Sequence, residues 1–369
     1  MAGNEGLNFL MQNRERTAFP ETSSSNQMQS ATLQTRHSFL ALDMLRGVAA
    51  LAVMTRHTSS LFGGQLFPMA YLAVDFFFML SGFVLAHAYG RQLGKSLSFR
   101  AFMVARLIRL YPLYLLGLLV TCLALGIATI RGGGVSLLAW LIWLPTALLF
   151  LPAPGHLNSS IFPLNGPTWS LFFELVVNAA LGAWFQYFSL RLLFTIIGIS
   201  GLGLICSAGL IGTIDVGFQW ATFPLGFLRV APSFFGGWLL YMIWQQRRTT
   251  LANWAALVAA CCLITTLAIN PSHDVEAALA IVTIAVAFPA IIYLAAASSI
   301  TNPVLSRGST WLGASSYAIY VLHLPAYRKR DFPRTLTPAL LTDGLRIGGG
   351  VWPVQAVAVL GKLKGSRSV

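Results

Sequence analysis

The chain has 369 residues, of which 56% are hydrophobic and only 9% are charged. Because soluble domains carry about 25% charged residues, this composition excludes an ordinary soluble protein and predicts a polytopic helical membrane protein. The formal net charge of +13 is typical of a membrane protein with Lys and Arg in its cytoplasmic loops, so we expect no nucleic-acid partner.

The two ends of the chain differ in composition from its middle. Residues 1–37 are polar and rich in Ser, Gln and Thr, which predicts a disordered N-terminal tail and not a signal peptide. Residues 38–326 hold the apolar runs and form the predicted membrane domain. Residues 327–369 carry eight Lys or Arg against two Asp, with no run long enough to span a bilayer. We interpret them as an atypical basic tail.

The membrane domain is predicted to be an all-α transmembrane helix bundle with about nine to ten membrane segments. The apolar runs lie near residues 40–62, 70–90, 110–129, 137–152, 167–187, 192–211, 221–244, 251–269, 276–297 and 311–326. The run at 137–152 is the shortest and contains Pro145. We therefore predict that it is re-entrant and does not cross the membrane.

Basic residues orient the bundle through the positive-inside rule. The segment 91–109 holds five Lys or Arg, and Arg247 and Arg248 mark a second basic loop, so both are expected in the cytoplasm with the N-terminus. In this orientation four ionisable groups on four helices reach the outer half of the membrane. They are His57, Asp75, Glu174 and His323. Because an intramembrane charge costs at least about 2.5–3.5 kcal/mol, we interpret the group as a functional site.

The first predicted helix, which contains LDMLRGVAALAVMTRH (42–57), is unusually polar for a membrane span. Arg46 and His57 share one helix face and lie about 16 Å apart along the axis. Asp43 precedes Arg46 by three residues, a spacing that favours an ion pair. Arg56 is expected to extend to the outer interface.

Five motifs, in this order, resemble those of the acyltransferase 3 family of integral membrane proteins. They are LDMLRGVAAL with the R-x10-H spacing of Arg46 and His57, VDFFFMLSGFVL (74–85), ARLIRLYPLY (105–114), PTWSLFFELVVN (167–178) and SSYAIYVLHLP (315–325). The resemblance implies transfer of an acyl group, usually acetyl, from cytoplasmic acyl-CoA to a hydroxyl of a carbohydrate or lipid-linked glycan. It also implies polysaccharide modification at a bacterial inner membrane, among membrane lipids and without a metal.

Within such a reaction, His57 can act as the general base on the acceptor hydroxyl. It can alternatively carry the acyl group covalently, and the sequence does not choose between these roles. Arg46 would orient the donor or neutralise developing charge. Asp75 or Glu174 would hold the tautomer of the imidazole.

Other residues are candidates for binding the two substrates. Arg106 and Arg109, one helical turn apart, could clamp the phosphates of CoA, although the positive-inside rule alone explains arginines there equally well. From the family motifs, Trp169, Tyr317 and His323 are candidate acceptor-binding residues.

A proton-coupled transporter is the alternative function. His57, Asp75 and Glu174 would then form its proton relay. Transporters of this size are typically built from internal repeats, and we find none in the sequence. Dependence on CoA would separate the two functions, because a proton-coupled carrier does not need it.

Overall fold

The computed structural model describes residues 39–130, 136–155, 158–247 and 249–327. The N-terminal tail predicted at 1–37 lies outside these ranges, and so does the basic C-terminal tail apart from its first residue. The described residues form α-helices joined by turns and short helical segments, with no β-strand among them. The predicted all-α fold class is therefore confirmed.

The helices follow one another in chain order, and we number them within the described residues. They are α1 (Leu40–His57), α2 (Ala73–Tyr89), α3 (Phe99–Ile130), α4 (Leu137–Leu148), α5 (Thr168–Trp184), α6 (Leu190–Ile211), α7 (Phe223–Gln246), α8 (Asn253–Ala268), α9 (His273–Val282), α10 (Phe288–Ala297) and α11 (Pro303–Tyr327). A π-helical turn, Thr283–Ala287, joins α9 to α10.

Six helical segments of the described chain are long and apolar enough to cross a membrane. They are Ala70–Tyr89, Phe99–Ile130, Thr168–Tyr187, Leu190–Ile211, Trp220–Gln246 and His273–Ala297. Helix α1 contains three charged residues, which makes it more polar than these six. The chain is an integral membrane protein, as its composition predicts.

Helix α3 begins at Phe99, well before the apolar run that predicted it near residue 110. The residues Phe102, Arg106, Leu110 and Tyr114 recur at a spacing of four and are all buried, so one helical face continues through the basic segment. Arg106 and Arg109 consequently lie within α3, and not in a loop that leads to it.

Helix α4 corresponds to the segment predicted to be re-entrant. Its 12 residues extend about 18 Å, which is too short for a hydrocarbon core of about 30 Å. The hydroxyl groups of Tyr111 and Tyr114 donate hydrogen bonds to the carbonyl oxygens of Leu148 and Ala147, at 2.5 and 2.6 Å. Side chains of α3 thus satisfy the backbone at the end of this short helix.

Small residues bring the helices of the site close together. Helix α1 runs parallel to α11, and a Cβ atom added to Gly47 would lie 2.6 Å from the Cβ of Leu312. Helices α2 and α7 cross at Gly82 and Gly237, where an added Cβ would overlap a backbone carbonyl oxygen of the other helix. Such contacts let polar residues of neighbouring helices meet in the bundle interior.

Candidate active site

A cavity of about 280 Å³ opens between α1, α2, α3, α5 and α11. Three arginines line it, Arg46, Arg106 and Arg109, together with the carboxylate of Glu174. We call it the arginine cavity. With Tyr317, it brings together five of the residues predicted to act in the site.

The centre of the arginine cavity is an ion pair between α3 and α5. Arg106, only 3% exposed, donates a hydrogen bond of 2.7 Å from Nη2 to Oε1 of Glu174. The hydroxyl of Ser81, on α2, donates to the same oxygen at 2.7 Å. Buried charges need such partners. Together, the ion pair and the hydrogen bond of Ser81 connect α2, α3 and α5. The Nε atom of Arg106 has no hydrogen-bond partner in the described part of the chain.

The arginine cavity carries more positive than negative charge. Arg46 is paired at 3.0 Å with Asp43, as its spacing predicts. Arg109 is exposed and forms no ion pair with any residue that the structure describes. Since Glu174 is already bonded to Arg106, the guanidinium of Arg109 can bind an anionic group such as a phosphate.

A second cavity, of about 270 Å³, lies at the other end of α1. His57 lines it together with Arg56 and Asp215, and its aromatic wall includes Tyr71 and Trp169. We call it the histidine cavity. It combines one imidazole, charged groups and aromatic surface, a composition that is typical of a binding site for a small organic group.

His57 stacks on a second imidazole. The rings of His57 and His323 have centroids 5.1 Å apart and an interplanar angle of 29°. His323 is buried, and its Nδ1 lies 3.1 Å from the carbonyl oxygen of Ile319. Because a carbonyl only accepts, Nδ1 carries a hydrogen, and in the neutral imidazole Nε2 has the lone pair. That Nε2 has no partner among the described residues.

An ion network runs along one side of the histidine cavity. Arg229 of α7 is completely buried and holds Asp75 with Nη2 to Oδ2 at 2.8 Å. Its Nη1 donates to Oδ1 of Asp215 at 3.1 Å. The other oxygen of Asp215 lies 3.4 Å from Nη2 of Arg56, whose Nη1 donates to the carbonyl oxygen of Pro68 at 2.8 Å. We call these four charged residues the Arg229 network.

The predicted carboxylate partner of His57 is not where the sequence placed it. Asp75 or Glu174 was expected to orient the imidazole, but each is held by a buried arginine, Arg229 or Arg106. The carboxylate that shares a cavity with His57 is Asp215. The expected convergence of four ionisable groups is also wrong for Glu174, which lines the arginine cavity and not the cavity of His57. Depth estimated along each helix could not show which way a carboxylate faces.

The three candidate acceptor-binding residues are divided between the cavities. Trp169 lines the histidine cavity, and His323 stacks on His57. Tyr317 lines the arginine cavity, where its hydroxyl donates to the carbonyl oxygen of Leu110 at 2.6 Å. The structure thus places Tyr317 beside the residues proposed for the donor.

Sequence reasoning missed Asp215 and Arg229, and gave Arg56 only an interfacial role. Arg229 lies within the apolar run predicted at 221–244, and an arginine in such a run usually has a buried partner. Asp215 stands in the connection that leads into this run. A search for acidic residues in the same predicted membrane half as Arg229 would have identified Asp215 as a candidate partner.

A known protein family matches most of the chain. The family model described as an acyltransferase domain, that of the acyltransferase 3 family, matches residues 39–329. This chain belongs to the acyltransferase 3 family. The family resemblance and the enzyme class predicted from the five motifs are therefore confirmed.

One curated relative also matches this acyltransferase. "Protein 2 in picA locus" of Rhizobium radiobacter is 42% identical over 187 residues, which cover 46% of this chain and 94% of the relative. No solved structure matches the acyltransferase. As an acyltransferase the protein requires an acyl donor and an acceptor, and the two cavities are candidates for binding them.

Proposed function

We propose that this acyltransferase moves an acyl group, usually acetyl, from cytoplasmic acyl-CoA to a hydroxyl of a carbohydrate or lipid-linked glycan. Its membrane would be a bacterial inner membrane, with the N-terminus in the cytoplasm. The observation that carries the proposal is the arrangement of the two cavities, which are both lined by Val74 and Tyr320. A cationic donor site and a site containing His57 thus adjoin inside one bundle.

The arginine cavity suits the donor because CoA carries several phosphates. Arg109 supplies a guanidinium without a carboxylate partner among the described residues. Arg106 is fixed by Glu174 and presents an unpartnered Nε atom. Guanidinium groups bind phosphates through directed, charge-assisted hydrogen bonds. Arg46 lies on the same helix face as His57 and would orient the part of the donor nearest the reaction.

The histidine cavity suits a sugar acceptor. Tyr71, Trp169 and Phe218 supply apolar ring surface, while Asp215 and Ser160 supply hydroxyl-binding oxygens. A sugar presents both apolar C–H faces and hydroxyl groups, so a mixed aromatic and polar wall complements it. Trp169 keeps the acceptor-binding role that its motif suggested, whereas Tyr317 takes a place at the donor.

His57 would perform the proton transfer. Its imidazole accepts the proton of the acceptor hydroxyl as the hydroxyl oxygen attacks the thioester carbonyl. An ester forms, the C–S bond breaks, and the departing sulfur receives the proton. In the covalent variant, the imidazole nitrogen attacks the thioester carbonyl, and the departing thiolate takes the proton that the ring loses. The acceptor hydroxyl then attacks the acyl-imidazole, an ester forms, and the hydroxyl proton returns to the ring. His323 would hold the ring of His57 in place by stacking.

The transporter alternative has less support. A proton relay needs carboxylates that bind and release protons readily. Asp75 and Glu174 are each hydrogen-bonded to a buried arginine, so protonation would break an ion pair and leave an unpaired guanidinium.

The test is transfer of label from radiolabelled acetyl-CoA to a glycan fraction by membranes that contain this protein. We expect His57→Ala to lose about 10²–10⁴-fold of the rate, the usual contribution of a general base. His87→Ala is the matched control, because His87 lines neither cavity, and it should retain the rate. If well-folded wild-type protein transfers label from no acyl donor, the proposed function is wrong.

A further inference from the structure

The arginine cavity and the histidine cavity share two lining side chains, which we call the wall. Only Val74 of α2 and Tyr320 of α11 line both the arginine cavity and the histidine cavity among the described residues. If the donor lies in one cavity and His57 in the other, the acyl group must reach His57 past these two side chains. Their size then limits which acyl groups can reach the acceptor.

Tyr320 is held firmly in this wall. It is 6% exposed, and its hydroxyl lies 2.6 Å from Oγ of Ser170. Both hydroxyl groups also lie within hydrogen-bond distance of the carbonyl oxygen of Pro167, Ser170 at 3.1 Å and Tyr320 at 3.4 Å. The hydroxyl therefore anchors the ring to α5.

The ring of Tyr320 is also fixed by its neighbours. Phe77 of α2 packs edge-on against it, with centroids 5.4 Å apart. His323 is also close to the ring, at 6.2 Å between centroids, and it stacks on His57. Tyr320 thus connects the wall to the imidazole that would carry out the reaction. A ring held at both its hydroxyl and its faces cannot rotate aside without breaking these contacts.

We infer that Tyr320, anchored by Ser170 and packed beside Val74, determines the length of the acyl group that this enzyme transfers. The inference rests on the proposed function. We expect a two-carbon acyl group to pass between the two side chains, whereas each further methylene would have to displace the ring or the valine. Steric discrimination of this kind is worth about 10-fold or more per methylene.

The experiment compares transfer from acetyl-CoA and octanoyl-CoA by the same membranes, using the ratio of the two rates. The ratio is independent of how much protein folds. We expect Tyr320→Ala to raise the octanoyl-to-acetyl ratio at least about tenfold, since it removes the ring from the wall. Tyr241→Ala is the control, because Tyr241 is a buried tyrosine that lines neither cavity. Its ratio should equal that of the wild type.

Milder changes test the same wall if Tyr320→Ala fails to accumulate. Ser170→Ala releases the ring, and Val74→Ala shortens its neighbour, so each should raise the ratio by a smaller amount. Val74→Phe should lower it. Wild-type acetyl transfer with an unchanged ratio in these variants would overturn the inference and leave the proposed function intact. If the wild type transfers from neither donor, both the inference and the proposed function are wrong.

Discussion

The two groups of buried charge in this bundle differ in how completely their arginines are paired. In the Arg229 network, Arg56 and Arg229 face two carboxylates, and Arg229 and Asp75 are wholly buried. In the arginine cavity, Arg106 pairs with Glu174 and Arg46 with Asp43, whereas Arg109 is exposed and has no ion-pair partner among the described residues. Where buried arginines and carboxylates pair with one another, their charges are neutralised within the protein and the pairs stabilise the fold. A surplus of positive charge in a cavity leaves capacity for an anionic ligand.

The comparison therefore assigns different roles to residues of the same chemical type. Arginines of the Arg229 network should affect folding, and arginines of the arginine cavity should affect donor binding. Each of the following substitutions tests one side of that division, and they are ordered by the size of the expected effect.

The largest effect is expected from Arg229→Met. It leaves Asp75 buried without its ion-pair partner, which typically costs about 3–5 kcal/mol. We expect a large loss of thermal stability in detergent and poor accumulation in membranes. The double variant Arg229→Met with Asp75→Leu should recover part of the stability, because no unpaired buried charge remains at that position. A fully stable Arg229→Met protein would contradict the structural role of the network.

Arg109→Ala should have a large effect on the donor and almost none on stability. Hydrogen bonds to charged groups contribute about 1.5–3 kcal/mol, so we expect kcat/KM for acetyl-CoA to fall about 10–100-fold. The KM for the acceptor and the melting temperature should remain those of the wild type. Arg100→Ala is a suitable control, since Arg100 is another exposed arginine of α3 that lies outside the cavity lining. Equal losses for both variants would indicate a general effect of basic charge.

The smallest effect is expected from Asp215→Asn. Asp215 belongs to the Arg229 network and also lines the histidine cavity. Asp215 is partly exposed and pairs with both Arg56 and Arg229, so the substitution keeps its shape and weakens both pairs. We expect a loss of about 1 kcal/mol of stability, together with a KM increase of severalfold for the acceptor. The KM for acetyl-CoA should not change. A change in the KM for acetyl-CoA alone would show that Asp215 acts on the donor, contrary to this prediction.

Composition, periodicity and motif order were sufficient to predict the fold class and the family. The short α4 could be recognised from the length of residues 137–152 and from the count of crossings, because both depend only on sequence length and loop charge. The ion pair of Asp43 with Arg46 followed from helical spacing. These features are local, and local geometry can be read from the sequence.

The partners of the buried carboxylates could not be predicted in the same way. The pairs Asp75 with Arg229 and Glu174 with Arg106 join residues that are 154 and 68 positions apart. Their formation depends on how each helix is rotated, which is set by contacts such as those of Gly82 and Gly237. The early start of α3 was missed for a related reason. Without its partner Glu174, Arg106 is interpreted from sequence as a charge in a cytoplasmic loop.

The most direct test of the account is equilibrium binding of labelled acetyl-CoA to purified protein in detergent, alongside transfer by the same samples. We predict that Arg109→Ala weakens donor binding about 10-fold or more. His57→Ala should bind the donor as wild type does and transfer the acyl group about 10²–10⁴-fold more slowly. Weakened donor binding in His57→Ala, with unchanged binding in Arg109→Ala, would contradict the division of the site into a donor cavity and a reaction cavity.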